Sequence, residues 1–253
     1  MNRRLVIKIG GSTLGSADTT FRDIAELARG GQVPAVIHGG GAEASRWLEA
    51  MSIPSRFERG LRVTDEAVLP VVVAVFAGLV NKRIVAAING AGAMAVGISG
   101  ADGRILECRL AEPELGFVGD PVGVHTQAIE ALLTAGIVPV ISSIGFVPGA
   151  GDDQLVNVNA DTIAGEIAAA LAAERLLFLT DVEGVRDAGG VVIRSLSVAR
   201  ARALIADGTI AGGMIPKVEA CLHALALGVP VQIVDGRKAG AILGFEDRGT
   251  TFS

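Results

Sequence analysis

Short runs of apolar residues that end in glycine or in a polar turn recur along the whole chain. Continuous runs of this kind, without strict alternation of apolar and polar positions, are typical of parallel strands that are buried on both faces. The runs cover residues 5–10, 34–39, 95–100, 137–145, 176–182 and 229–236. The pattern therefore predicts a buried, largely parallel sheet.

Segments with helical periodicity lie between several of these strands. They cover residues 19–29, 42–51, 65–88, 126–135, 161–173 and 217–227. Alternating strands and helices predict an open, layered α/β sheet. Two regions depart from the alternation and are predicted to form hairpins over a site, one pairing residues 104–110 with 117–125 and one within 185–196.

The composition indicates a protein that acts on small molecules. The 253 residues are 50% hydrophobic and carry a formal net charge of -5, from 22 Lys+Arg and 27 Asp+Glu. The high apolar content excludes a disordered chain, and the acidic balance argues against a nucleic-acid or anionic-membrane partner. Cys108 and Cys221 lie far apart and form no C-x-x-C motif, so neither a disulfide framework nor a zinc site is predicted.

Neither a signal peptide nor a membrane span is predicted. The apolar run near the N-terminus is too short for the core of a signal peptide, so we expect a cytoplasmic protein. The longest apolar stretch, residues 67–80, is interrupted by Pro70 and is shorter than the roughly 18 residues that indicate a span. We interpret this stretch as a buried helix or an oligomer surface.

The first candidate site is Lys8-Ile9-Gly10-Gly11-Ser12, which closes the first predicted strand. Ligands of open α/β sheets bind at the carboxyl ends of the strands, and paired glycines let backbone amides approach a phosphate closely. A lysine is rarely buried without a charged partner. We therefore interpret Lys8 as a phosphate-binding residue rather than an exposed edge lysine.

A second glycine-rich turn, His38-Gly39-Gly40-Gly41-Ala42-Glu43-Ala44, joins a strand to a helix. Its spacing satisfies the dinucleotide pattern G-x-G-x-x-G/A, but the acidic residue expected about 20 residues later is missing. An NAD-dependent oxidoreductase is therefore a minor alternative, and the turn is interpreted as an anion site at a helix N-terminus. We interpret His38 as a hydrogen-bonded turn residue rather than a base.

Two further clusters suit a small anionic substrate. Arg62 can bind a carboxylate through two parallel hydrogen bonds, while Thr64 is a natural cap for the helix that follows it. Asn157, Asn159 and Asp161 lie close together before a helix rich in small residues. Asn159 or Asp161 could cap that helix, and Asp161 could also hold neighbouring lysines in place.

The C-terminal part contains Thr180-Asp181-Val182-Glu183-Gly184-Val185 after a late strand, and Gly212-Gly213-Met214-Ile215-Pro216-Lys217 at the start of a helix. A lysine at a helix N-terminus opposes the helix dipole, which indicates that an anion binds there. The pattern G-x-x-x-x-G-K-[ST] does not occur in the sequence. A P-loop enzyme is therefore excluded.

Taken in order, these motifs resemble the amino acid kinase family over essentially the whole chain. The set Lys-x-Gly-Gly, His-Gly-Gly-Gly, Gly-Leu-Arg-Val-Thr, Asn-Val-Asn-Ala-Asp and Gly-Gly-Met-Ile-Pro-Lys is far more specific than any single motif. Residues 114–119 and 139–145 are similar to the branch that acts on acetylated glutamate. The resemblance implies a three-layer α/β sandwich whose largely parallel open sheet runs through two lobes.

The resemblance also implies roles for individual residues. The catalytic set would be Lys8 and Lys217, which stabilise the transferring phosphoryl group, and Asp161, which organises them. The acyl amino acid would bind at Gly40, Gly41, Arg62 and Asn157. The nucleotide would bind at Gly10, Gly11, Asp181, Val182, Glu183, Gly184, Val185, Arg186, Thr209, Ile210 and Ala211. No metal-ligating residue is predicted, and Mg²⁺ is expected with ATP.

By the same resemblance, residues 1–173 form an N-terminal lobe that binds the acyl amino acid and carries a dimer surface, and residues 174–253 form an ATP-binding lobe. The expected reaction is phosphorylation of the γ-carboxylate of N-acetyl-L-glutamate to N-acetyl-L-glutamyl 5-phosphate, the second step of arginine biosynthesis. Arginine-inhibited hexameric relatives carry an extra N-terminal helix, whereas four residues precede the first strand here. We expect a homodimer insensitive to arginine, with residues 67–80 as its candidate surface and burial in the monomer core as the equal alternative.

Two other functions are open. A kinase of glutamate or aminoadipate attached to a carrier protein, in lysine or arginine biosynthesis, would need a basic docking surface, for which Arg56, Arg59 and Arg62 are the candidates. A non-catalytic sensor with this fold would not need both Lys8 and Lys217. The residue set therefore favours the enzyme.

Overall fold

The computed structural model describes residues 4–10, 19–149 and 152–253. The strands are β1 (Leu5–Ile9), β2 (Ala35–His38), β3 (Phe57–Glu58), β4 (Leu61–Arg62), β5 (Ala95–Ser99), β6 (Leu106–Leu110), β7 (Gly119–Val124), β8 (Val138–Ser142), β9 (Ile144–Val147), β10 (Gln154–Asn157), β11 (Arg175–Thr180), β12 (Ser195–Leu196), β13 (Val231–Asp235) and β14 (Thr250–Phe252). The helices are α1 (Thr20–Arg29), α2 (Gly41–Ala50), α3 (Val68–Val73), α4 (Asn81–Gly90), α5 (Gln127–Thr134), α6 (Ala160–Ala170), α7 (Val198–Ala206) and α8 (Met214–Ala226).

An eight-stranded sheet with the order β12-β14-β13-β11-β1-β2-β8-β5 forms the centre of the molecule. Six neighbouring strands, from β13 to β5, are parallel. The strand β14 runs antiparallel to β13 and parallel to β12, so two strands at one edge are reversed. The prediction of a largely parallel open sheet is confirmed.

Two hydrophobic cores cover the two faces of this sheet, and β1 contributes to both. Leu5, Ile7 and Ile9 pack in the core that contains Ile24 of α1. The alternate residue Val6 packs in the opposite core, with residues of α6 and α8. Because successive strand residues point to opposite faces, this pattern gives three layers and places Lys8 on the side of α6 and α8.

The chain leaves the main sheet at Ser143 and enters a four-stranded sheet with the order β10-β9-β6-β7. The prediction of one strand over residues 137–145 is therefore wrong, because Ser143 separates β8 from β9. The predicted first hairpin is confirmed, since β6 and β7 pair antiparallel. In the second predicted hairpin, within residues 185–196, Arg186 and Val192 form an antiparallel bridge. The strand β12 at its end pairs with β14 in the main sheet instead.

One long helix runs from Val68 to Gly90, formed by α3, a π-helical segment Ala74–Val80 and α4. This helix is long and apolar enough to cross a membrane, but Val72 and Val75 are fully buried against the sheet. Core packing therefore accounts for the apolar residues on the inward face of this helix.

The cap of this helix differs from the prediction. The Asp65 carboxylate accepts hydrogen bonds from the amides of Ala67 and Val68, whereas the hydroxyl of Thr64 is buried in the fold. An aspartate oxygen satisfies two amides that would lack partners at the helix start. Thr64 is therefore available for another role.

Candidate active site

A cavity of about 220 Å³ lies at the carboxyl ends of β1 and β2, between the glycine turn, the β3–β4 hairpin and the start of α6. Six of the predicted site residues line it: Lys8, Gly40, Gly41, Arg62, Asn157 and Asp161. These residues come from well-separated parts of the chain. The structure thus brings together the predicted substrate set and two of the three predicted catalytic residues.

Lys8 and Asp161 form an ion pair at one end of this cavity. The Nζ atom of Lys8 lies 2.5 Å from Oδ1 of Asp161, and both side chains are largely buried. Asn159 caps α6, because its Oδ1 accepts hydrogen bonds from the amides of Asp161 (2.8 Å) and Thr162 (3.0 Å). The capped helix start fixes the backbone of Asp161, so its carboxylate can hold the lysine ammonium in place.

The glycine turn forms the neighbouring wall. A Cβ atom on Gly40 would lie 2.6 Å from Cδ1 of Phe76, so a larger residue does not fit there. The helix α2 starts at Gly41, and its first helical hydrogen bond runs from the amide of Ala44 to the carbonyl of Gly40. The amides before Ala44 lack intrahelical partners and make the N-terminus an anion site beside Lys8.

His38 is a neutral side chain that forms a hydrogen bond to the glycine turn. Its Nδ1 lies 2.7 Å from the carbonyl oxygen of Gly39, and its Nε2 lies 3.0 Å from Nδ2 of the Asn81 side chain. Since the carbonyl accepts and the Asn81 amide donates, Nδ1 carries the proton. Burial lowers the pKa of His38 from 6.5 to about 4. The interpretation of His38 as a hydrogen-bonded turn residue is confirmed.

The lowered pKa of His38 predicts a pH-dependent stability. Between pH 6.5 and 4 the unfolded chain binds a proton on His38 that the folded protein does not, so the free energy of unfolding falls as the pH falls through this range. We expect a loss of about 2 kcal/mol between pH 6.5 and 5. Urea unfolding of the wild type and of His38→Gln at several pH values measures the effect. Equal pH dependence of the two proteins would contradict it.

Arg62 lines the same cavity and is only 6% exposed. Its guanidinium donates to the carbonyl of Gly41 (2.9 Å) and to the hydroxyls of Ser45 (2.7 Å) and Ser55, and it lies 4.6 Å from the ring centroid of Phe57. Burial lowers the pKa of this guanidinium, and no carboxylate among the described residues forms an ion pair with it. A buried cation without a protein anion indicates an anionic ligand.

Asn157 lies beside Arg62 and is oriented by Thr64. The Nδ2 atom of Asn157 donates to Oγ1 of Thr64 (3.0 Å), which in turn donates to the carbonyl of Arg62 (2.9 Å). Thr64 is a positioning residue that sequence reasoning assigned to a helix cap. Its residue type alone gave no signal for this role.

Lys217 lies in the first turn of α8, which starts at Met214, three residues earlier than predicted. One helical turn further along the same face is Cys221. The pKa of its thiol is raised, chiefly by burial and also by the charge of Asp161, while the charge of Lys8 opposes this shift. The helix α8 packs against α6, which carries Asp161 in its first turn, and Lys217 lies on the same face of α8 as Cys221, nearer the N-terminus.

Most of the predicted nucleotide residues lie after β11 or in the connection between α7 and α8. Glu183 lines a second cavity of about 460 Å³ together with Arg194, Asp235, Lys238 and Arg248. Within the cavity wall, Glu183 forms ion pairs with Lys238 and with Arg186 (2.9 Å). This cavity adjoins the carboxyl end of β13 and offers both charged and apolar lining groups.

Other members of the nucleotide set hold the local fold. The amide of Val185 donates to Oγ1 of Thr250 (2.9 Å), which ties the segment after β11 to β14. The amide of Gly10 donates to the carbonyl of Leu179 (3.2 Å). The remaining members have these places: Asp181, Val182 and Gly184 follow β11, Thr209, Ile210 and Ala211 connect α7 to α8, and Gly11 lies outside the described residues.

The described residues contain no group of three or more His, Cys, Asp or Glu side chains that could hold a metal ion. Asp161, the carboxylate among the residues that line the cavity, is engaged by Lys8. Mg²⁺ prefers to keep waters and to bind substrate phosphates with one or two carboxylates. The residues at this site therefore fit a Mg²⁺ ion that binds together with the phosphates of a nucleotide.

The comparisons with known proteins agree with this geometry. The sequence model of the amino acid kinase family matches residues 3–235. The acetylglutamate kinase of Parasynechococcus marenigrum (strain WH8102) is 49% identical over 249 residues, covering 95% of this chain and 84% of the relative. That of Paracoccus denitrificans (strain Pd 1222) is 50% identical over 243 residues, covering 94% and 79%.

A solved structure extends the match to the whole fold. The crystal structure of smu.665 from Streptococcus mutans UA159 superposes with a TM-score of 0.86 at 27% identity, covering 100% of this chain and 99% of that one. The sequence motifs, the sheet and the paired lysine and aspartate thus lead to one conclusion. The chain belongs to the amino acid kinase family.

Proposed function

We propose that this protein is an acetylglutamate kinase, which transfers the γ-phosphoryl group of ATP to the γ-carboxylate of N-acetyl-L-glutamate in arginine biosynthesis. The observation that carries the proposal is the buried Arg62 guanidinium, which has no carboxylate partner among the described residues and lies in one cavity with the Lys8–Asp161 ion pair. A small dicarboxylate can bind Arg62 with one carboxylate and present the other to the part of the cavity that contains Lys8 and Asp161. Its α-carboxylate neutralises Arg62 and its γ-carboxylate reaches the phosphoryl side. The names of the curated relatives support the same substrate.

The reaction needs no general base. A glutamate γ-carboxylate has an ordinary pKa near 4.3 and is ionised at neutral pH. One of its oxygens forms a bond to the γ-phosphorus while the bond to the β–γ bridging oxygen breaks, so ADP leaves with that electron pair and an acyl phosphate forms. The protein has to align the two reactants and neutralise charge on the phosphoryl oxygens.

The chain's own cations and amides meet these needs. Lys8, held by Asp161, and the first amides of α2 surround the phosphoryl position from one side. Lys217 approaches from α8, where its charge opposes the helix dipole until an anion binds. Mg²⁺ bound to ATP supplies further neutralisation of phosphate charge. The segment 181–186 and the loop 209–211 hold the nucleotide in this proposal.

The surface near the site favours a free acid over a carrier-bound one. Arg62 is buried in the cavity, and Arg59 pairs with Glu112. Of the three arginines that could form a basic docking surface, Arg56 alone is exposed without an ion pair to a described carboxylate. A single exposed cation is a weak docking surface for an acidic carrier protein.

A hydroxylamine-trapping assay tests the proposal, because acyl phosphates react with hydroxylamine to form coloured hydroxamates. The protein is incubated with Mg-ATP and N-acetyl-L-glutamate, free glutamate or N-acetyl-aminoadipate. We expect product with N-acetyl-L-glutamate and little with the other two acids. Product with free glutamate alone, or with none of the acids, would refute the proposed substrate.

We also propose that the enzyme is a homodimer joined through the outward face of residues 67–80. The inward face of this helix is buried, while Pro70 and Ala74 are exposed and Val73 is half-buried. An apolar helix face of this kind is typical of an oligomer surface. Light scattering should give twice the mass of one chain, and a single-chain mass would disprove the dimer.

A further inference from the structure

Two neighbouring serines at the end of β8 have side chains that the fold leaves without hydrogen bonds. Ser142 and Ser143 are both fully buried, and neither hydroxyl oxygen has a hydrogen-bond partner among the residues described. A buried hydroxyl without a partner is costly and uncommon in native proteins. Each therefore requires an explanation.

Only Ser143 of the pair lines the cavity of the candidate active site. Its carbonyl accepts a hydrogen bond from the amide of Val158 (3.0 Å), which holds it against the segment that leads to Asp161. Its Oγ lies 3.9 Å from the position that a Cβ on Gly39 would occupy, and the Cβ atom of Ala160 lies 3.3 Å from the same position. The hydroxyl is thus near Gly39 of the glycine turn, which also contacts Ala160, the residue before Asp161.

This position is on the phosphoryl side of the cavity rather than the Arg62 side. Gly39 precedes the amides of α2, and Ala160 precedes the partner of Lys8, whereas the guanidinium of Arg62 contacts Ser45, Ser55 and the carbonyl of Gly41. A dicarboxylate whose first carboxylate binds Arg62 extends its second carboxylate toward the glycine turn. The unpartnered Ser143 hydroxyl lines the same cavity near that turn.

We propose that Ser143 is a catalytic residue whose hydroxyl donates a hydrogen bond to the γ-carboxylate of the acid and orients it for attack. This inference rests on the proposed function and adds a contact that fixes the nucleophile. A neutral donor can bind one carboxylate oxygen while the other oxygen faces phosphorus. A hydrogen bond to a charged group is stronger than one between neutral groups.

The first test compares Ser143→Ala with Ser142→Ala. Both variants remove one fully buried, unpartnered hydroxyl from adjacent positions, but only the first removes it from the cavity. We expect Ser143→Ala to lower kcat/KM for N-acetyl-L-glutamate about tenfold, with KM for ATP unchanged. Ser142→Ala should stay within about twofold of the wild type. Because each substitution removes an unsatisfied group, neither should lower Tm.

The second test uses a ligand without the reacting group. N-acetyl-L-norvaline keeps the acetamide and the α-carboxylate but ends in a methyl group in place of the γ-carboxylate. Calorimetry should show that Ser143→Ala weakens binding of N-acetyl-L-glutamate about tenfold and leaves the affinity for N-acetyl-L-norvaline unchanged. Equal losses for the two ligands would overturn the assigned contact.

The outcomes separate this inference from the proposed function. Turnover of N-acetyl-L-glutamate by the wild type, with equal effects of the two serine variants, would overturn the role of Ser143 alone. Absence of turnover by the wild type would overturn the function and this inference together. A tenfold loss confined to Ser143→Ala and to the ligand with the γ-carboxylate supports both.

Discussion

Replacing Lys217 with alanine is expected to lower kcat by two to three orders of magnitude and to leave the fold intact. The lysine lies in the first turn of α8, and this helix packs against α6, which carries Asp161 in its first turn. Removing one preorganised charge that stabilises the transferring group costs about 10²–10³ in rate. The KM for N-acetyl-L-glutamate should change little, because the cation acts on the phosphoryl group.

Glu219→Ala is the matched control for this experiment, because Glu219 is an exposed residue of the same helix. Steady-state kinetics with both substrates and thermal unfolding of both variants should be measured together. A kcat of Lys217→Ala within a few-fold of the wild type would refute the assigned role. A large drop in Tm would instead identify Lys217 as a residue that the fold requires.

Replacing Arg62 with alanine is expected to raise KM for N-acetyl-L-glutamate about a hundredfold, with a small effect on KM for ATP. The guanidinium is preorganised by Ser45, Ser55 and the carbonyl of Gly41, and these contacts hold it toward the cavity. Losing a buried, charge-assisted pair with a ligand carboxylate typically costs 2–5 kcal/mol. Arg62→Lys should recover only part of the affinity, because an ammonium cannot form two parallel hydrogen bonds.

Arg59→Ala provides a control in the same hairpin. Its guanidinium is exposed and pairs with Glu112, and exposed ion pairs contribute little to stability. We expect kinetics close to those of the wild type. If Arg59→Ala and Arg62→Ala raise KM equally, the hairpin as a whole, rather than the buried guanidinium, determines binding of the acid.

Much of the fold could be predicted because the central strands are buried on both faces and therefore appear as continuous apolar runs. The strands β1, β2, β5 and β13 lie within the runs identified from the sequence, and β11 begins one residue before its run. The two-residue strands β3 and β4 and the short strand β14 were not identified. Strands of this length carry too few residues to show a pattern, and their pairing partners determine them.

The candidate site could be predicted at the positions of charged residues, because burying a charge without a partner or a ligand is energetically costly. Lys8, Arg62 and Asp161 are charged groups beside buried strands, so their residue types indicated a role. Thr64 and Ser143 gave no such signal, because a hydroxyl is unremarkable until its partners are known. The structure shows that one of them orients Asn157 and that the other has no partner among the described residues.

The place of β1 at the centre of the sheet has a consequence for how the polypeptide can be divided. It pairs with β2 on one side and with β11 on the other, with Leu5 opposite Arg175 and Ile9 opposite Leu179. A break between residues 173 and 174 would leave β1 and β11 each with an unpaired edge and apolar side chains on both faces. Each separate fragment would aggregate through that edge, whereas the two produced together would reassemble along it. The β1–β11 seam is therefore a natural position for a split enzyme whose activity reports the association of its two halves.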